Sequence, residues 1–356
     1  MNKQNRNLRI ALYLIIFLLV LILIKNNSEQ KHDNIMWNIG DSQGIAKKSD
    51  NKILAYELLP NYSNEVEGVF LNSAGFRDEE FSYNKKNNTF RIAVLGDSVT
   101  FGLYINDSSK ILTEILEKQL NKGNSSIEFE VMNFGVGGYS LIQERVLLQE
   151  KVLKYYPDLI IIVFFPNDVD EEFLYSIKHW FTKEEYYKRA KTKSGLLDET
   201  TFCKLKRKYQ GTGLAQKILS ITKKINKPKT ILEFWRNEWD KVYSNKCYLN
   251  DLESNFKSIK SIVSEYNIPV IIVNQPFIYW DEGEYSAEKA EQVISELSGK
   301  NGFYFLSVKS EYMNYRTEKI GNKYYPTDKD HPSELGHNIS GTKIYNYLLK
   351  NNIPST

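Results

Sequence analysis

The chain has 356 residues, enough to bury a full single-domain core with material left over. Its 47 Lys and Arg residues nearly balance 44 Asp and Glu residues, which gives a net charge of +3. That balance, without a recognisable nucleic-acid-binding module, argues against a nucleic-acid partner. Cys203 and Cys247 lack the spacing of a metal site, and the sequence contains no other cluster of metal ligands. We therefore expect neither a metal nor a cofactor.

The first 25 residues predict a signal anchor. Lys3, Arg6 and Arg9 precede an apolar run over 10–24, and Lys25 ends it. As a helix the run is roughly 22 Å long, short for a hydrocarbon core of about 30 Å, but its flanking cations can snorkel. A cleaved signal peptide is the alternative, although no small-x-small cleavage site follows the run. The positive charges predict a cytoplasmic N-terminus, a single membrane span and an extracytoplasmic remainder.

Three further ranges divide the rest of the chain. Residues 26–50 are polar and predict a tether. A main domain is expected over 51–350, and its turn-rich beginning, 51–90, is expected to pack on it as an extension. Residues 171–248 are rich in aromatics and lysine without a clear strand, which predicts a mostly helical insertion or lid. The insertion follows the end of a predicted strand, the functional edge of an α/β sheet.

Apolar, β-branched runs alternate with amphipathic stretches from residue 91 onward, which predicts a parallel sheet wrapped by helices. Strands are predicted over 91–95, 127–132, 158–165, 269–274 and 303–308, and helices over 108–122, 140–155, 251–266, 285–299 and 333–350. The run 158–165 is nearly all apolar, as expected of a strand that is buried on both faces.

The first of these strands leads directly into Gly96-Asp97-Ser98 and delivers a serine hydroxyl to the strand end. A serine hydroxyl needs a general base to act as a nucleophile, and that base needs an orienting group. Only His331 of the four histidines has a suitably placed acid, Asp328, three residues before it. His32 lies in the tether, His179 lies in the insertion, and we expect His337 to pack on the last helix.

An oxyanion also needs donors, and three candidates follow predicted strands. They are the backbone N–H of Ser98, the glycine loop that contains Gly137 and Gly138, and the side-chain amide of Asn167. Each motif has a purely structural alternative: a turn at Ser98, a turn in the glycine loop, a helix cap at Asn167 and a loop at His331 with Ser333 capping the last helix. Their joint order at strand ends favours a hydrolase site.

These motifs resemble the SGNH (GDSL-type) hydrolase superfamily, over 91–170 and 269–350. The resemblance implies a flavodoxin-like three-layer α/β/α sandwich around a five-stranded parallel sheet. It also implies a catalytic triad in which Ser98 is the nucleophile, His331 the base and Asp328 its partner. Ser98, Gly138 and Asn167 would form the oxyanion hole, with Gly138 chosen over Gly137 by its register after Asn133.

The sequence departs from the family pattern at two positions. Val99 replaces the usual leucine after the serine, which exchanges one aliphatic residue for another. Phe165 replaces the glycine of the common Gly-x-Asn-Asp motif and adds bulk beside the predicted oxyanion hole.

The leading functional hypothesis is a membrane-anchored serine esterase that hydrolyses an ester, with O-acetylated carbohydrate suggested by family analogy. An O-acyltransferase could use the same triad to acylate a surface polysaccharide, with a membrane acyl donor protein as partner. A catalytically inactive glycan-binding or assembly protein is the non-enzymatic alternative. The expected partners are thus an ester-bearing small molecule or glycan, and the membrane through the N-terminal helix.

Overall fold

The computed structural model describes residues 44–51, 53–122, 126–169, 239–240, 242–276, 278–279, 284–285, 287–316 and 331–354. The chain divides into two compact units, Met1–Ala46 and Lys47–Thr356, and only 44–46 of the first are described. The predicted anchor, most of the insertion and Asp328 lie outside the described residues. Among the helices that the structure describes, none combines the length and the hydrophobicity needed to cross a bilayer.

Four short strands precede the central sheet: β1 (Ala46–Lys48), then β2 (Tyr56–Leu58), β3 (Ser63–Asn64) and β4 (Val69–Phe70) in the N-terminal extension. β3 and β4 form an antiparallel hairpin. β1 falls within the range predicted as a tether, so regular structure begins before the predicted end of that tether. The polar composition of 26–50 gave no sign of this three-residue strand.

The central sheet has five strands, all parallel, and its core strands coincide with the predicted ones. These strands are β5 (Thr89–Gly96), β6 (Glu128–Gly135), β7 (Leu159–Phe164), β8 (Val270–Asn274) and, after the small hairpin β9 (Ile278–Tyr279) and β10 (Glu284–Tyr285), β11 (Tyr304–Ser307). Their spatial order is β6-β5-β7-β8-β11, the 2-1-3-4-5 order of flavodoxin-like doubly wound sheets. Every residue of β7 is buried, as expected of a strand covered on both faces.

The described α-helices are α1 (Ser98–Phe101), α2 (Leu112–Leu120), α3 (Leu141–Glu150), α4 (Lys246–Ser264), α5 (Glu288–Asn301), α6 (Lys309–Arg316) and α7 (Glu334–Lys350). Short 3₁₀ helices cover Ser108–Lys110, Val152–Tyr155 and Pro166–Val169. α2 packs against α7, whereas α4 packs against both α3 and α5. We expect these two groups on opposite faces of the sheet, because parallel strands are joined by right-handed crossovers and the first crossover, from β5 to β6, runs in the reverse direction.

The described end of the predicted insertion packs against the 3₁₀ helix that follows β7. The Tyr243 hydroxyl donates a hydrogen bond to the Pro166 carbonyl at 2.9 Å, and Trp239 is buried. α4 begins at Lys246, inside the predicted insertion and earlier than the helix predicted over 251–266. The end of the insertion therefore packs next to the segment that carries Asn167.

Candidate active site

Ser98 occupies the first position of α1, two residues after the end of β5. The turn between them requires a glycine, since a Cβ on Gly96 would lie 2.1 Å from the Thr100 hydroxyl oxygen. Asp97 caps the short helix by accepting the Val99 N–H at 2.8 Å. The local sequence thus fixes the backbone of a partly exposed serine at the carboxyl edge of the sheet.

His331 meets this serine although 233 positions separate the two in sequence. The Ser98 hydroxyl and His331 Nε2 are 2.8 Å apart, within hydrogen-bonding distance. His331 lies just before α7, where Ser333 caps the helix by accepting the Gly336 N–H. The structural role anticipated for Ser333 therefore coexists with the contact between His331 and Ser98. Asp328 lies outside the described residues, so its role as the orienting acid stays a prediction.

Asn167 lies in the 3₁₀ helix that follows β7, and its side chain reaches the same turn. Its Nδ2 donates to Asp97 Oδ2 at 3.2 Å, and the Ser98 hydroxyl lies 3.4 Å from that oxygen. An amide nitrogen carries two hydrogens, so Asn167 can hold Asp97 with one and donate the other to a ligand. The structure therefore brings Ser98, His331 and Asn167 together around Asp97.

The glycine loop follows β6 beside the end of β5, where the Val136 N–H donates to the Gly96 carbonyl at 3.0 Å. Gly138 adopts a left-handed φ of +77°, which glycine tolerates best. The Tyr56 hydroxyl donates to the Gly137 carbonyl at 2.5 Å, and the Tyr139 hydroxyl donates back to the Tyr56 carbonyl. The N-terminal extension therefore holds the glycine loop, which contains the candidate donors Gly137 and Gly138.

Three buried carboxyl groups, those of Asp97, Glu144 and Asp168, lie within the electrostatic influence of one another. Burial raises the pKa of each group above its ordinary value, and repulsion between the carboxylates raises those of Glu144 and Asp168 further. Asp168 accepts the Phe165 N–H at 2.7 Å. Neither carboxylate oxygen of Glu144 has a hydrogen-bond partner within the described structure. These conditions favour the protonated form of Glu144.

Two residues singled out in the sequence prove to be buried. The Phe165 side chain is only 5% exposed, so the bulk added by this departure from the family pattern is packed inside the protein. His337 accepts the Leu112 N–H through Nδ1 at 3.2 Å, at the start of α2. Burial lowers the pKa of His337 to about 3, which keeps its imidazole neutral and able to accept this bond.

Sequence reasoning missed two contributors from the extension and one from the first turn. Asp97 could have been found, because an Asp directly before a short helix after a strand is a typical N-cap. The Tyr56 hydroxyl binds the Gly137 carbonyl, and the Arg77 guanidinium, from the same extension, binds the Gly102 carbonyl at 2.7 Å. The sequence carries no local signal for such contacts with distant backbone carbonyls. In the described parts of the chain, no group of three or more His, Cys, Asp or Glu residues could hold a metal ion.

No family model and no curated protein match the sequence. Several solved structures resemble the chain at low identity. A two-domain esterase active on acetylated mannans shares 16% identity at a TM-score of 0.41, covering 74% of this chain and 49% of its own length. This chain thus spans about half of that esterase. A putative GDSL-like lipase from Parabacteroides merdae shares 16% identity at a TM-score of 0.42, and the match covers 73% of this chain and 95% of that lipase. An acetyl xylan esterase shares 13% identity at a TM-score of 0.41, and the match covers 73% of this chain and 100% of that esterase.

Proposed function

We propose that the chain is an SGNH-type serine esterase. The observation that carries the proposal is the 2.8 Å contact between the Ser98 hydroxyl and His331 Nε2 at the carboxyl edge of the sheet. Nucleophile and base within hydrogen-bonding reach are the signature of activated-serine catalysis. The adjoining Asn167 amide and the fixed glycine loop are the types of group that stabilise an oxyanion.

In the proposed reaction Ser98 attacks the ester carbonyl while His331 Nε2 takes the hydroxyl proton. The resulting oxyanion accepts hydrogen bonds from the backbone N–H groups of Ser98 and Gly138 and from the Asn167 amide. Collapse of this intermediate breaks the ester bond, and the imidazolium returns the proton to the leaving alcohol. Water then attacks the acyl-enzyme with His331 as base, releasing the acid and regenerating Ser98. Asp328 would hold the imidazole in the required tautomer.

The proposed location and substrate follow from the N-terminus and from family analogy. The anchor over the first 25 residues would hold the domain outside the membrane, with the N-terminus in the cytoplasm. An O-acylated carbohydrate is the substrate class to test first, as an acetylated glycan. Free acetate as product would indicate hydrolysis, whereas acetyl groups on an added glycan acceptor would indicate transfer.

The proposal is tested by replacing Ser98 with alanine in the full chain. Ser98→Ala should lower the turnover of p-nitrophenyl acetate by at least about 10⁴-fold, because the nucleophile of the acyl-enzyme is lost. Ser109→Ala is a matched control, since Ser109 is an exposed serine in the neighbouring 3₁₀ helix. Retained turnover in Ser98→Ala would remove the basis of the proposal.

A further inference from the structure

Tyr104 adopts a backbone conformation that is unusual for a tyrosine. It is the third residue of a turn that the Ile105 N–H closes onto the Gly102 carbonyl at 3.1 Å. Its φ is +67°, in the left-handed region. Turns with a positive φ at this position usually place glycine or asparagine there, because other side chains crowd the backbone. Strain of this kind persists where the surrounding structure enforces it, and it is concentrated at functional sites.

Arg77 holds this turn from the N-terminal extension. Its side chain is only 2% exposed, and its guanidinium donates to the carbonyls of Gly102, at 2.7 Å, and Ile105. A third bond reaches the Gly68 carbonyl at 3.0 Å. Burial lowers the pKa of Arg77 to about 10, so the group remains charged at neutral pH. Both ends of the turn are therefore bound to one buried cation, which accounts for the persistence of the strained conformation.

The turn presents the Tyr104 ring to His331. The two ring centroids lie 5.4 Å apart at an interplanar angle of 87°, an edge-to-face arrangement. The tyrosine is still 36% exposed, so it stands at the rim of the site. His331 thus contacts both the strained tyrosine and the Ser98 hydroxyl.

We propose that Tyr104 is a positioning residue for His331, an inference that rests on the esterase function proposed above. The edge-to-face contact fixes the plane of the imidazole so that Nε2 points at the Ser98 hydroxyl. From the left-handed position of this turn the Tyr104 ring reaches the imidazole, which gives a reason for an aromatic residue at a position suited to asparagine. A misplacement of about 1 Å at such a site can cost roughly 100-fold in rate.

The test compares variants that keep the turn with variants that keep the ring. Tyr104→Asn removes the ring but suits a positive φ, so the turn is retained. In the full chain, kcat for p-nitrophenyl acetate should fall about 10-fold or more while KM changes less than about 2-fold, within the range expected of a misplaced base. Tyr104→Phe should recover most of this loss, because the ring contact does not need the hydroxyl.

Tyr156→Asn is the matched control. Tyr156 also has a left-handed φ, +52°, and is 66% exposed, but it precedes β7 at the opposite edge of the sheet. Tyr156→Asn should therefore leave kcat for p-nitrophenyl acetate unchanged. If Tyr104→Asn fails to fold, Tyr104→Gly serves instead, since glycine also suits the turn and lacks the ring.

Three outcomes would overturn the inference. Wild-type kcat in folded Tyr104→Asn or Tyr104→Gly would show that the ring does not position His331. A loss confined to KM for an acetylated glycan would make Tyr104 a substrate contact instead. Equal losses in Tyr104→Phe and Tyr104→Asn would assign the effect to the hydroxyl. Failure of the esterase proposal itself would be recognised separately, by retained turnover in Ser98→Ala.

Discussion

Asp97 joins three parts of the candidate site through one buried carboxyl group. It caps the helix that begins with Ser98, accepts the Asn167 amide at 3.2 Å and lies beside the serine hydroxyl. The positions of the proposed nucleophile, Ser98, and of the proposed oxyanion donor, Asn167, therefore depend on the same side chain. Asp97 is best described as a positioning residue, because it acts through its two neighbours.

Asp97→Ala should lower kcat for p-nitrophenyl acetate by about 10- to 100-fold, because Asn167 loses the acceptor that fixes its amide and loss of a donor costs up to about 10³-fold. Asp107→Ala is the control, since Asp107 caps the 3₁₀ helix Ser108–Lys110 in the same way on the exposed surface. Both variants lose a cap, but only the first should lose activity. Equal kcat values in steady-state assays of the two folded variants would refute the role of Asp97.

At the scale of the residue, the sequence predicted that Ser98 and His331 would meet, because one hydroxyl and one acid-flanked histidine were placed at predicted strand or helix ends. It did not predict Tyr56, Arg77 or Tyr104. Their roles depend on which backbone carbonyls and rings the folded extension brings close, and no spacing along the chain encodes those distances.

At the scale of the element, α2 combines a buried face with carboxylates that are poorly solvated. Burial, together with repulsion from Glu117 and Glu79, raises the pKa of Glu114 to about 7 from an ordinary value of 4.5. Between these two values the unfolded chain releases a proton that the folded chain retains. The stability of the folded state should therefore decrease as the pH rises through this window.

Glu114→Gln should reduce the loss of stability at high pH, because a neutral amide replaces the group whose ionisation opposes folding. We expect the melting temperature at pH 8 to exceed that of the wild type by roughly 2–4 °C, with a smaller difference at pH 5. Thermal unfolding followed by circular dichroism at both pH values measures the effect. Glu296→Gln, at an exposed position of α5, is the control. A difference in melting temperature between Glu114→Gln and the wild type that grows towards low pH would contradict the raised pKa of Glu114.

The five central strands were predictable because continuous apolar, β-branched runs leave few alternatives to a buried parallel strand. The short elements were not. α1 has four residues, and the short strands β1–β4 have two or three, too few for a hydrophobic period to be read. α2 was predicted over 108–122 but begins at Leu112, after a separate 3₁₀ helix, because the chain turns at Ile111.

At the scale of the whole molecule, the topology of the sheet accounts for the site. The first and third strands of the sheet in chain order, β5 and β7, are neighbours, so Ser98 and Asn167 follow adjacent strand ends. α7 packs against α2, and this packing returns the C-terminal segment to the same edge, where His331 meets Ser98. Residues from three distant parts of the chain thus form one constellation, as expected at the carboxyl edge of a doubly wound sheet.

The most direct test of this constellation is covalent labelling of the full chain with a fluorophosphonate, followed by peptide mass analysis. The wild type should carry a single adduct on Ser98, Ser98→Ala should carry none there, and His331→Ala should label at least about 10²-fold more slowly because the base is lost. An adduct on a different residue, or equal labelling rates in the wild type and His331→Ala, would contradict activation of Ser98 by His331.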